Sequence, residues 1–309
     1  MTSAILPAAT SWLEGEGRAP LATRLRAFER YFERALPAAN EPPARLHAAM
    51  RYAALGSGKR LRPLLVLTAC EAVGGRWMRA LPAAAAVECV HAFSLVHDDL
   101  PSMDDDDYRR GRLTTHKKFG EAIGLLAGDA LLALAFEELT RLTARGVPAA
   151  RVARAVRALG EAAGSRVLVG GQVLDLEGEG RRVNGSGVRE MHLRKTGGLL
   201  SAALVMGGLA GNATAGQLRS LAHMGLELGL AFQIHDDLLN RGSSLARLGK
   251  RAGTDEARAK STYPRAVGPE RARSEAARLF LSALRGVERL GPRAWNLGHL
   301  IIAVAERDH

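Results

Sequence analysis

Apolar residues in this chain recur at intervals of three and four and hardly ever alternate. "ARVARAVRALGEAAG" (150–164) and "RARSEAARLFLSALRGVERLG" (271–291) each carry an apolar stripe with arginine and glutamate on the other side, which predicts two amphipathic helices. "LPAAAAVECVHAFSLVHDD" (81–99) is apolar nearly all round, the mark of a helix buried on every side. Alanine, leucine, arginine and glutamate dominate, all of them good helix formers. Runs of alternating β-branched residues are absent, so the pattern predicts an all-α fold. The breaks are short: "GSG" (56–58), "GG" (74–75), "GEGRRVNGSG" (178–187) and "NRGSSLARLGKRAGTD" (240–255). None has the length of an interdomain linker, and no repeat of solenoid period is present. The expectation is one helical domain over 1–309, with 1–40 as an N-terminal helical extension of it.

One motif does occur twice. "LVHDDLPSMD" (95–104) and "LAFQIHDDLLN" (230–240) are both apolar helical runs ending in His-Asp-Asp. In the second, Asn240 lies four residues after Asp236, on the same helix face. In the first, Asp104 follows Asp98 by six residues, roughly 600° of rotation and well off its face. Pro101 does not sit quietly in a helix interior, and a bulge there can swing Asp104 back toward Asp98. Both stretches then present oxygen ligands at the mouth of an apolar helix pair.

Charge sharpens this picture. Residues 97–107, "HDDLPSMDDDD", hold six aspartates in a chain of net charge +11. So many carboxylates repel one another unless a cation sits among them. Hard oxygen donors without a Cys or compact His cluster favour Mg²⁺ over zinc. Mg²⁺ is typically shared between one or two carboxylates and a substrate phosphate. Asp98 and Asp236 directly follow apolar runs, whereas Asp105–Asp107 read as solvated surface or as support.

Of 43 basic residues only six are lysine. They fall in five polar stretches: "GSGKRLRP", "THKKFGE", "RKTGG", "LGKRAGTD" and "AKSTYP". A compact ammonium differs from a guanidinium as a phosphate ligand, which favours this placement over chance scatter on a wet surface. Lys59 and Arg62 lie one helical turn apart, and "YRRGR" (108–112) follows the first acidic stretch. Acid, metal and separate basic clusters together suit phosphate esters. A Walker A loop and a GxGxxG are absent, and no Ser-His-Asp or Cys-His set is convincing. His47, His192, His223, His299 and His309 read as structural or surface.

A pI near 10.4 invites a nucleic-acid reading, but the basic residues are spread out and aromatics are only 5%, so stacking platforms are scarce. No uncharged apolar run reaches the roughly 18 residues of a membrane span, and the first 20 residues lack a signal-peptide pattern. Two cysteines, Cys70 and Cys89, make no disulfide framework. The expectation is a cytoplasmic protein with no nucleic acid and no stable membrane anchor.

The motifs "GSGKRLRP", "HAFSLVHDDLPSMDDDDYRRG", "THKKFGEAIGLLAGDALL", "GGQVLDL", "RKTGGLL", "AFQIHDDLLN" and "AKSTYP" follow in that order. As a set they resemble the short-chain trans-polyprenyl diphosphate synthases, and most of all the bacterial farnesyl diphosphate synthases, from about residue 40 onward. The resemblance implies an all-α fold around a central apolar cavity, a homodimer, and head-to-tail joining of an allylic diphosphate to isopentenyl diphosphate. It implies that Asp98 and Asp104 ligate two Mg²⁺ with support from Asp99, and that Asp236 faces a third. Arg109, Lys195 and Lys260 would hold the allylic diphosphate. Lys59, Arg62, His91 and Arg110 would hold isopentenyl diphosphate. Gln172, Thr196 and Gln233 would line the site, with Lys250 a further diphosphate contact.

Two departures stand out. Asn240 replaces the usual closing Asp of the second motif, and Arg241 and Ser244 replace a Val and an Asp of similar bacterial enzymes. Phe93 lies five residues before Asp98, about 7.5 Å along a helix and roughly 500° round. A ring there would floor the cavity, while Ser94 adds no bulk, and in similar enzymes an aromatic at this place goes with a C15 product. Ordinary core packing is the plainer role for Phe93. The alternatives are a geranylgeranyl or geranyl product, a non-catalytic partner subunit, and a cyclase-like lyase. The lyase has no need of the Lys59, Arg62 and His91 cluster.

Overall fold

The computed structural model describes residues 18–56, 58–181, 183–240 and 261–306. They form helices almost throughout: α1 (Arg18–Ala35), α2 (Ala44–Ala54), α3 (Leu61–Ala72), α4 (Leu81–Asp98), α5 (Thr115–Phe119), α6 (Glu121–Thr140) and α7 (Ala149–Ala163). Then come α8 (Leu168–Gly178), α9 (Gly185–His192), α10 (Gly198–Ala210), α11 (Ala215–Asn240), α12 (Tyr263–Val267), α13 (Pro269–Leu290) and α14 (Trp295–Ala305). The all-α expectation holds. The two amphipathic segments are α7 and α13, and the segment apolar on all sides is α4, which buries thirteen side chains from Leu81 to Val96.

α4 packs along α6 and against α3, α10 lies against α3, α7 and α11, and α11 lies along α13. α10, apolar throughout, is thus a central post. α1 seats Phe28 and Phe32, stacked at 5.2 Å, into the core.

One expectation needs correction. Together with the 3₁₀ turn that leads into it, α4 forms a helix over 77–98 long and apolar enough to cross a membrane. His91, Glu88 and the helix's last residues mask this when only uncharged runs are sought. The fold explains the apolarity differently, since 78% of its apolar 18-residue window is buried against neighbouring helices.

The regular exception to helix is a two-residue hairpin, β1 (Tyr108–Arg109) and β2 (Arg112–Leu113), paired Tyr108 to Leu113. Arg110 (φ 52°) and Gly111 (φ 75°) both take the left-handed conformation that a two-residue hairpin turn requires. The hairpin sends Arg109 and Arg110 in different directions, and both matter below.

Candidate active site

The first wall is the C-terminal end of α4. Its backbone bulges as the proline suggests: the Asp104 amide donates to the Asp98 carbonyl at 2.8 Å, and the Asp105 amide to Leu100 at 3.0 Å. Asp105 takes a left-handed φ of 44° to allow it. Six residues of chain are thereby drawn into one loop, and Asp104 is buried beside Asp98. Burial pushes the Asp98 carboxyl upward, and Asp104 and Asp99 add to this against the pull of Lys195 and Arg109. Arg109 grips the buried Asp99, its Nε donating at 2.7 and 2.9 Å to the two carboxylate oxygens. Asp105 and Asp107 are exposed, the latter 2.8 Å from Lys117, in keeping with a wet surface.

The opposite wall is built from α8, α11 and a π-helical turn, Leu193–Gly197, that follows α9. Such turns are concentrated at functional sites. Here the turn presents Lys195 and Thr196. Lys195 Nζ lies 2.6 Å from Asp175 of α8, and Thr196 donates to Gln233 of α11 at 3.0 Å. The turn is squeezed from both sides. A Cβ on Gly171 of α8 would overlap the Lys195 amide nitrogen, and one on Gly229 of α11 would overlap Gly197. Gln172, next to Gly171, is buried with neither amide atom hydrogen-bonded among the described residues. Such a group calls for a polar ligand.

In the second His-Asp-Asp, Asp236 is half-buried and close enough to Arg62 to act on it: burial lowers the Arg62 pKa, against the opposing pull of Glu88 and Asp236. Asp237 faces inward. It accepts the Tyr263 amide at 2.8 Å and lies 3.5 Å from His192, and so ties α11 to the start of α12. Burial pushes His192 down to about 4, leaving it neutral there. The Asn240 side chain, and Arg241, Ser244, Lys250 and Lys260, lie outside the described residues.

Between these walls and α14 lies a cavity of about 680 Å³. It brings together all four residues expected for isopentenyl diphosphate: Lys59, Arg62, His91 and Arg110. Phe232, Leu300 and Val304 give it an apolar side. His91 is held well below 6.5, first by burial and then by Arg62 and Arg110, so it meets a ligand as a neutral imidazole. The Arg62 Nε is buried with no hydrogen-bond partner among the described residues.

Phe93 is buried and packs edge-on against His97, ring centroids 5.0 Å apart. His97 in turn reaches the Leu125 carbonyl of α6 at 3.0 Å. Phe93 therefore stands on the flank of α4 that faces α6, about 140° round from Asp98 rather than on its own face. Ser94 turns its hydroxyl to the His91 carbonyl at 3.0 Å.

Three contributors escaped the sequence reading. Asp175 follows Gln172 by three residues, a spacing that marks one helix face and gave a usable signal. Asp237 was overshadowed by Asp236. Glu88 looked like an anomaly in an apolar run, and nothing in its neighbours announced that Arg60 would meet it.

The donors fit Mg²⁺ of a particular kind. Among the described residues no three His, Cys, Asp or Glu side chains gather into a metal cage. The close pair Asp98–Asp104 gives hard oxygens whose mutual repulsion Lys195 and Arg109 offset only in part, which suits an ion that completes its shell with water and a diphosphate.

Comparison with known proteins follows the same line. Residues 43–289 match the polyprenyl synthetase family. The chain is 46% identical over 241 residues to the heterodimeric geranylgeranyl pyrophosphate synthase large subunit 1, chloroplastic, of Arabidopsis thaliana, covering 77% of this chain and 65% of that one. It is 41% identical over 283 residues to the farnesyl diphosphate synthase of Geobacillus stearothermophilus, covering 92% and 94%. The Helicobacter pylori geranyltransferase structure with magnesium and isoprenyl diphosphate superposes with a TM-score of 0.84 at 28% identity, covering 95% of this chain and 99% of that one.

Proposed function

Given that the chain belongs to the polyprenyl synthetase family, we propose that it is a Mg²⁺-dependent prenyltransferase joining isopentenyl diphosphate to dimethylallyl or geranyl diphosphate, with farnesyl diphosphate as the product. The observation that carries this reading is the pairing, on one helix, of two unlike sites. α4 ends at the carboxylate Asp98, against which the loop beyond folds Asp104, and it carries His91 in the basic cavity two turns earlier. A single diphosphate would need one such site, whereas condensation needs both.

In this reading Asp98, Asp104 and Asp236 hold three Mg²⁺, which neutralise the charge that develops on the leaving diphosphate. Lys195 and Arg109 each sit on a carboxylate, and the more highly charged allylic diphosphate competes for them. The allylic C–O bond breaks with its electron pair going to the diphosphate. The isopentenyl double bond, held by Lys59, Arg62, neutral His91 and Arg110, forms the new C–C bond. The departing diphosphate accepts the proton, so no side-chain base is required. Burial of the apolar walls keeps water from the cation. The assembly in this reading is a homodimer: Leu125 and Leu126 on the outer face of α6 are 47% and 50% exposed, and a second copy would cover them. A reducing compartment suits the two free, buried thiols of Cys70 and Cys89.

Farnesyl as the product rests on the Phe93 ring between α4 and α6. A second reading, a geranylgeranyl product, is favoured by the 46% identity to the plant large subunit. Product analysis of the purified chain decides between them. The native protein should stop at C15, and Phe93→Ala should still condense but shift its main product to C20 or longer. A folded variant that still stops at C15 removes Phe93 as the floor, and a native C20 product selects the second reading.

A further inference from the structure

The basic cavity contains a carboxylate that a diphosphate site does not want. Glu88 is 4% exposed, one turn before His91 on the same face of α4. Its partner is Arg60, 8% exposed, whose Nη1 donates to Glu88 Oε1 at 2.7 Å. Arg60 stands between Lys59 and Arg62 and caps α3 with a left-handed φ of 49°, a conformation that side chains other than glycine's rarely take. Its other nitrogen donates to the Gly56 carbonyl at 2.8 Å, and its guanidinium lies 5.9 Å from the Phe32 ring.

A buried ion pair is a poor source of net stability, so its presence here asks for another reason. The geometry supplies one. The left-handed residue reverses the chain just as α3 begins, so the side chains before and after Arg60 need not point where it does. We propose that the Arg60–Glu88 pair is a positioning device: it fastens the turn and holds the Arg60 guanidinium on Glu88, so that Lys59 and Arg62 are aimed together at the diphosphate of the homoallylic substrate. The inference rests on the reading that this cavity takes isopentenyl diphosphate.

A rival role is simple charge balance, in which Glu88 offsets four neighbouring cations. The two roles differ in sign. Glu88→Gln leaves the cavity more positive, so charge balance alone predicts tighter binding of isopentenyl diphosphate. Positioning predicts weaker binding, because the unanchored Arg60 swings free and the turn loosens.

The test is calorimetric titration of the full chain with isopentenyl diphosphate, and separately with a non-ionisable allylic diphosphate analogue plus Mg²⁺. Glu88→Gln should weaken the first by roughly tenfold, a part of the larger cost of breaking a buried charge pair being felt at the ligand, and leave the second within about twofold. The double variant Arg60→Gln with Glu88→Gln breaks the same contact twice over and should bind no more weakly than Glu88→Gln alone. Should Glu88→Gln fail to fold by circular dichroism, Arg60→Lys keeps the charge, lacks the second hydrogen bond, and should weaken isopentenyl diphosphate binding by about threefold. Unchanged or tighter binding in Glu88→Gln, equal loss for both ligands, or additive losses in the double variant would each overturn the proposal. If the native chain itself binds no isopentenyl diphosphate, the functional reading falls, and the inference with it.

Discussion

Asp98→Ala should lower kcat by about a thousandfold or more while leaving the chain folded. The size follows from what is removed. Asp98 is the carboxylate at which α4 ends on the first wall, and metal-mediated neutralisation of a leaving group contributes several kcal/mol to a transition state. Its burial and its two acidic neighbours hold its carboxyl above the ordinary range, so the native structure gains little stability from it and should not miss it. A melting curve should therefore show the variant as stable as the parent, or slightly more so. Asp105→Asn is the control, since Asp105 is exposed on the same loop and asparagine tolerates its left-handed φ, and its turnover should stay within about twofold. Chelation with EDTA should abolish turnover in the native enzyme, and added Mg²⁺ should restore it. Near-native kcat in Asp98→Ala would remove the metal assignment.

Gly171→Ala is expected to cost roughly a hundredfold in turnover, although residue 171 carries no functional group. Its α-hydrogen faces the backbone of Lys195, and a methyl group there has to push the π turn aside. Displacement by about 1 Å of a group that positions substrate is enough for a loss of that order. Backbone overlap of this kind costs about 3 kcal/mol, so the melting temperature should fall by several degrees. The informative comparison is with Gly216→Ala. Gly216 lies on α11, where a Cβ would meet nothing closer than the Thr214 hydroxyl at 3.9 Å, and there the same change should slightly raise stability. If Gly171→Ala loses stability but keeps its turnover, the turn does not need its present position to place Lys195.

Much of the fold could be read from the chain because helices announce themselves locally. The three-and-four spacing located α7 and α13 to within a residue or two, and the unbroken apolarity of 81–99 marked α4 as central. The basic cluster of Lys59 and Arg62 and the return of Asp104 past Pro101 were legible for the same reason: each depends on neighbours within a turn or two. What stayed hidden depends on distant residues meeting. The Lys195–Asp175 pair joins positions twenty apart through a π turn that no periodicity marks. The Arg60–Glu88 pair joins two helices, and the hairpin at 108–113 is too short to leave a strand pattern. Phe93 shows the limit of a helical wheel. Its depth below Asp98 was set by sequence distance, but which neighbour its ring met was set by the packing of α4 on α6.

The absence of a self-contained metal cage among the described residues makes cation and substrate dependent on one another. Two carboxylates leave most of an ion's coordination shell to water and diphosphate, and without an ion they repel an incoming diphosphate. Each guest removes the obstacle to the other, and such coupling is reciprocal: whatever factor the ion lends to substrate affinity, the substrate returns to the ion. The enzyme therefore works as a coincidence detector. A change in free Mg²⁺ alters how long the allylic partner stays as much as how fast it ionises, and inorganic diphosphate released by the reaction competes for the ions as well as for the pocket. Turnover is in this way tied to the surrounding ratio of free cation to diphosphate, a setting that no single side chain of the protein controls.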